Sequence, residues 1–160
     1  MEPSRGVLHK PVLYLSHYFK QHRQAYYDHL QAVRTRGDWE AWLAFFLRGV
    51  VEVAGEAAET ARRILQMREE HRAAITAKLG RAAGNGHKVL ESLFDRPIIA
   101  VNDVQQQTGT TYAAANSLVS RLVDVGVLRE MTGYARNRRF HYAPYIALFT
   151  DAVPGSESTA

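Results

Sequence analysis

The sequence predicts a mainly α-helical protein with one small β-hairpin near its end. Three observations predict it. Apolar residues recur at steps of three, four and seven through the first half. No proline stands between Pro11 and Pro97, so long helices are unobstructed there. Two short β-like runs flank a Gly/Asn-containing turn, and they come only after Gly126.

The elements follow in order. From Pro11 to Arg34, Val12, Leu15, Phe19, Tyr26, Leu30 and Val33 share one helical face. Pro11 suits a first turn, where its missing N–H has no partner anyway. Thr35-Arg36-Gly37-Asp38 breaks the pattern. Gly37 can take the left-handed cap conformation, and Asp38 can cap the next helix. That helix carries Trp42, Phe46, Val50, Val53, Ala57, Ala61 and Ile64 as a stripe and runs to about Leu79, roughly 60 Å at 1.5 Å per residue. The three glycines of residues 80–86 read as a linker. His87–Phe94 is a short helix, and Pro97–Val101 a short β-like run. Asn102 or Asp103 caps a second helix ending near Gly109. Thr110 or Thr111 caps a third, which runs to about Val125, buries Ala115, Leu118, Val119 and Leu122, and stops at Gly126. Residues 127–131 and 138–142 form the hairpin around the turn at 133–137. A helix, a helix–turn–helix and a hairpin, in that order, spell a winged helix. The expected domains are therefore helices over 1–79, a linker at 80–86, a winged helix over 87–149 and a disordered tail over 150–160.

Composition narrows the chemistry. Of 160 residues, 20 are Lys or Arg and 16 Asp or Glu, for a net charge of +4. Residues 1–79 carry +3 of it and residues 80–160 only +1. This mild excess permits an anionic partner without demanding one. The absence of cysteine excludes a disulfide scaffold, thiolate-bound metal and a thiol nucleophile. No apolar run approaches the roughly 18–20 residues of a membrane span, and the N-terminus lacks a basic-then-apolar signal pattern. No membrane partner and a cytoplasmic location are expected. His17, His22 and His29 are spaced by five and seven residues, not as the i, i+4 pair of a zinc helix, and no H-E-x-x-H occurs. His22 falls on the apolar stripe and reads as a core or inter-helix residue. No Ser/His/Asp or paired-carboxylate arrangement stands out. The dense aromatics between Tyr14 and Phe46 read as a packed helical core, or as tyrosines bordering a ligand or partner surface.

In a winged helix the third helix enters the DNA major groove and the wing reaches the flanking backbone. Candidate DNA-binding residues are Thr111, Tyr112, Asn116, Ser117, Ser120 and Arg121 on that helix, and Arg136, Arg138 and Arg139 on the wing. Asn can read adenine, Ser can bond a phosphate or base, and arginine neutralises phosphate. Asp124, on the same face, would repel phosphate. Phe140 and Tyr142 share the core side of the last strand, and Arg139 and His141 the solvent side. The alternative use of the same fold is packing or dimerisation.

Pro11–Ser16, Arg23–Leu30 and Val33–Leu47 resemble the region following the active site in Fic-family proteins. Residues 97–101, Ala115-Asn116, 122–128 and 136–138 resemble the C-terminal winged helix of many bacterial Fic proteins. The resemblance covers roughly residues 6–149. It implies protein AMPylation, the transfer of AMP from ATP, with a divalent metal, onto a protein hydroxyl. The family signature H-P-F-x-x-G-N-G-R-x-x-R is absent. Gly84-Asn85-Gly86 is a false echo: Ala82-Ala83 precede it, and His87 stands in the arginine place. The resemblance thus implies the C-terminal portion of a Fic protein, beginning just past the catalytic loop. No catalytic residue carries over, no cofactor is expected for this chain, and ATP with its metal belongs to the parent family. It further implies Tyr14, Tyr18 and Tyr26 as a remnant of the adenine-pocket wall. Expected partners are duplex DNA, a second copy of the chain, or a separate Fic catalytic region completing a split enzyme. An uncovered Val12–Val33 stripe would favour self-association.

Overall fold

The computed structural model describes residues 9–133 and 137–150, with side chains for 15–133 and 137–149. In chain order the elements are α1 (His9–Gln21), α2 (Arg23–Arg36), α3 (Trp39–Leu79), a 3-10 turn (Gly80–Ala82), α4 (Ala83–Leu93), β1 (Ile98–Ala100), α5 (Val101–Thr108), α6 (Tyr112–Asp124), β2 (Arg129–Glu130), β3 (Arg139–His141) and α7 (Ala143–Thr150). The protein is mainly helical with a small three-stranded antiparallel sheet. It divides into two compact units, Met1–Arg62 and Arg63–Ala160, with the boundary inside α3. Among the described residues, no helix is long and apolar enough to cross a membrane.

In the first unit, the single helix expected over Pro11–Arg34 is interrupted at His22, whose φ of −101° and ψ of 36° leave the helical range. The N–H of His22 still donates to the Tyr18 carbonyl, and the N–H of Tyr26 to the His22 carbonyl, both at 2.9 Å. Neither glycine nor proline marks the break, so periodicity alone could not place it. His22 is exposed rather than in the core, its ring lying 4.4 Å from that of Tyr18. Gly37 does adopt the left-handed conformation (φ 67°), and Asp38 accepts the Ala41 N–H at 3.3 Å. The unit's core is aromatic: Tyr18, Phe45 and Val53 are buried, with Phe19, Tyr26 and Trp42 packed around them. The Tyr18 ring lies directly over Gly49, where a Cβ would come within 2.6 Å of it. A side chain at residue 49 would displace that ring.

In the second unit, the expected linker 80–86 is helical instead. Gly80 (φ 53°) ends α3, a 3-10 turn follows, and Gly84-Asn85-Gly86 lies in the first turns of α4. Gly86 is a close-packing position: a Cβ there would sit 2.9 Å from Ile75 Cγ2 and Leu79 Cδ2. The missing side chain is what lets α4 approach α3. A charged cluster closes the same pair of helices, with Glu91 bonded to Arg68 (2.8 and 3.1 Å) and Arg72 (3.0 Å). Partial burial alone would raise the Glu91 carboxyl, but hydrogen bonds and charge from these two arginines outweigh it and hold it below its ordinary range.

The second and third helices expected in this half both form, with one change at the first cap. Ala100 occupies the N-cap position of α5, and Asp103 reaches back to accept the Ala100 N–H at 2.7 Å. Thr111 caps α6 by accepting the Ala114 N–H at 3.3 Å. Ala115, Leu118, Val119 and Leu122 are its buried residues. Gly126 (φ 81°) turns the chain back, so that Val127 and Leu128 donate to the Leu122 carbonyl. β3 is central, pairing with β1 (Ile99 opposite Phe140) and with β2 (Glu130 opposite Phe140). Phe140 and Tyr142 are fully buried, and Arg139 is exposed. His141, expected in solvent, is half-buried on the central strand. The sequence reading has no counterpart to α7. Thr150 ends that helix, and the tail expected beyond it lies outside the described residues.

Candidate nucleic-acid interface

The solvent side of α6 is uncharged over most of its length, with Ala113 and Ala114 exposed among its polar residues. Thr111, Tyr112, Ser117 and Ser120 are exposed, and Asn116 is half-buried. Their presentation follows from the buried residues on the opposite side, since positions three and four apart share one helical face. The Ser120 hydroxyl donates to the Asn116 carbonyl at 3.2 Å, a back-bond that leaves its outer lone pairs free. Asp124 is exposed at the far end of the helix, away from the capped N-terminus.

Beside that N-terminus lies a cleft of about 210 Å³ lined by Ala100, Val101, Asn102, Tyr112, Asn137, Arg138 and Arg139. It brings three of the expected residues, Tyr112, Arg138 and Arg139, to one place. It adds Asn102 and Asn137, which were not among the expected DNA-binding residues. Asn137 has a φ of 54°, the one non-glycine positive φ among the described residues. An Asn within a Gly/Asn turn is the signal that could have found it, because asparagine tolerates that conformation.

The arginines differ in availability. Arg139 is exposed, and its backbone N–H donates to Thr132 Oγ1 at 3.2 Å. Arg138 is held by Glu130 in a two-pronged ion pair (2.7 and 3.0 Å), with its guanidinium 4.9 Å from the Phe140 ring centre. The hydrogen bond from Arg138 pulls the Glu130 carboxyl below its ordinary value. Arg138 therefore brings its charge already neutralised. Arg121 does not face a partner: its guanidinium donates to the Lys78 carbonyl at 2.9 Å. That bond satisfies one of the carbonyls left open at the end of α3, a role invisible in the sequence because 43 residues separate the two. Arg136 lies outside the described residues.

Of the three tyrosines expected near a nucleotide pocket, two have described side chains. Tyr18 is buried against Phe45 (5.6 Å between ring centres) and Gly49. Tyr26 is half-buried between Phe19 (5.2 Å) and Trp42 (5.4 Å). Both are used in packing. Tyr14 lies in α1, and its side chain is outside the described set. No group of three or more His, Asp or Glu suited to a metal ion occurs among the described residues. No protein-family model matches the chain.

Proposed function

We propose that the second unit is a winged-helix module that binds duplex DNA, with the N-terminal half of α6 in the major groove and the β2–β3 hairpin against flanking phosphate. One observation carries the reading. Tyr112, at the start of α6, and the exposed Arg139 border the same cleft, together with Asn102 and Asn137. Hydrogen-bonding side chains that read base edges and a cation that meets phosphate are thereby juxtaposed. Charge supports it as well. Residues 63–160 hold twelve basic and nine acidic residues, a net +3, so most of the chain's excess belongs to this unit. The wider role, a regulatory and non-catalytic portion of a Fic-type AMP transferase in the cytoplasm, rests on the sequence resemblance over residues 11–47.

The test is fluorescence anisotropy on a labelled duplex. A single phosphate contact, from Arg139, would make binding about three- to fourfold weaker between roughly 50 and 200 mM salt. Arg139→Ala should weaken binding and flatten that salt slope, whereas Tyr112→Ala should weaken it without changing the slope. Binding insensitive to salt, or none, would overturn the DNA reading in favour of a protein partner. AMP transfer from labelled ATP by this chain alone would overturn its non-catalytic assignment.

A further inference from the structure

The small sheet turns one face outward, and two arginines stand on it. Side chains alternate across a strand, and buried Ile99 and Phe140, directly opposite each other, fix the inner face. The outer face therefore carries Ile98, His141 and Arg129 in one cross-strand row. Ala100, Arg139 and Met131 form the next row, with the Met131 N–H donating to the Arg139 carbonyl at 2.9 Å. Arg129 and Arg139 are both exposed. One strand across and two residues along set their Cα atoms roughly 8 Å apart, from ~3.3 Å per residue and ~4.8 Å between strands. Long side chains on such a diagonal influence one another.

Among the described residues, nothing neutralises this pair. Glu130 shares the inner face with Phe140 and is taken by Arg138. Asp103 borders a cleft of about 250 Å³ together with Arg139, but it forms no ion pair there and accepts the Ala100 N–H at 2.7 Å. His141 brings no negative charge, and its buried Nδ1 has no hydrogen-bond partner. Like charges held close on a sheet oppose each other, so an anion from outside would relieve them. The face is also not an ordinary water-facing one, which would be polar throughout: Ile98 is 44% exposed and Met131 52%. Its place in the fold selects the anion. Ala100, Asn102 and Arg139 border both the cleft shared with Asp103 and the cleft beside Tyr112 at the start of α6. The outer face of the sheet thus continues the candidate DNA surface.

We propose that this face is a second phosphate-binding surface, on which Arg129 joins Arg139 in holding the backbone of the same duplex. This assignment rests on the DNA reading and extends it to a residue that was not among the expected DNA contacts. Unlike Arg121 and Arg138, the Arg129 side chain makes no hydrogen bond or ion pair among the described residues, so it meets phosphate without giving up a bond. Its planar guanidinium fits phosphate oxygens two at a time.

Anisotropy of the full chain on the labelled duplex tests this through the salt dependence. With both arginines engaged, binding should weaken about twelvefold between roughly 50 and 200 mM salt. Arg129→Ala should cut that loss to about three- to fourfold, and Arg129→Lys, which keeps the charge, should hold it at about twelvefold. Arg48→Ala, in the first unit, should leave it unchanged. Arg129→Ala combined with Arg139→Ala should remove nearly all of it. A three- to fourfold loss in the wild type that Arg129→Ala does not alter would overturn this proposal and leave the DNA reading standing. Equal flattening by Arg48→Ala would overturn it as well, because net charge rather than position would then be acting. Wild-type binding that ignores salt, or no binding, would overturn both.

Discussion

Gly84 and Gly86 look alike in the sequence and play opposite roles. Both lie in α4, where alanine is intrinsically favoured over glycine. A Cβ at Gly84 meets nothing within 4 Å, whereas one at Gly86 meets the buried Ile75 and Leu79 at 2.9 Å. Gly84→Ala should stabilise the protein by about 0.5 kcal/mol, mainly by restricting the unfolded chain. Gly86→Ala should destabilise it by about 1–3 kcal/mol through overpacking. Denaturant melts of the two variants would show the opposite signs, and equal shifts would refute the packing role of Gly86. The arginines teach the same lesson. Arg121, Arg138 and Arg139 are equivalent as letters, yet one caps a helix, one neutralises a glutamate, and one is open to a partner.

At the scale of elements, α3 and the β3–α7 segment share a polar contact beside their common apolar core. His71 Nδ1 and the Tyr142 hydroxyl share a hydrogen bond of 2.6 Å. Burial lowers the His71 value below 6.5, with Glu70 pulling weakly the other way, and burial raises the Tyr142 phenol. Unfolded, the same imidazole titrates at its ordinary value. Below 6.5 the unfolded chain therefore binds more protons than the folded one, and stability falls as pH falls through that window. The depressed carboxyls of Glu91 and Glu130 give up their contribution only at more acidic pH, below their ordinary 4.5. Between about pH 7.5 and pH 5.5 the melting temperature should drop more in the wild type than in His71→Gln. Equal drops would show that another group sets the dependence. The α7 helix itself was not legible in the sequence. Ala143–Thr150 is almost wholly apolar, so it lacks the polar–apolar alternation that marks a helix face.

At the scale of the molecule, the two units differ in how much they bury. The second holds a core of sixteen buried apolar residues among those described, the first a cluster of three with aromatic neighbours. Opening free energy follows local burial. Backbone amides of Val89–Leu93 and Leu118–Leu122 should therefore exchange hydrogen far more slowly than those of α1 and α2, as read by mass spectrometry on the full chain. Comparable protection in both would contradict the difference in cores. The move of the boundary from residues 80–86 to Arg62/Arg63 also reassigns the basic excess, because Arg63, Arg68, Arg72 and Lys78 join the second unit.

By itself the sequence determined the helical class, the extent of α3, the stop at Gly37, a threonine cap at residue 110 or 111, the four buried residues of α6 and the pairing of the last two strands. Each of these depends on local periodicity or on the backbone preference of a single residue. Tertiary structure alone decided that Gly86 packs α4 against α3 rather than flexing, that Tyr18 and Tyr26 fill a core rather than a pocket, and that Arg121 and Arg138 are already engaged. Those outcomes depend on which residues distant in sequence come within a few ångströms of one another, and residue spacing along the chain does not encode that.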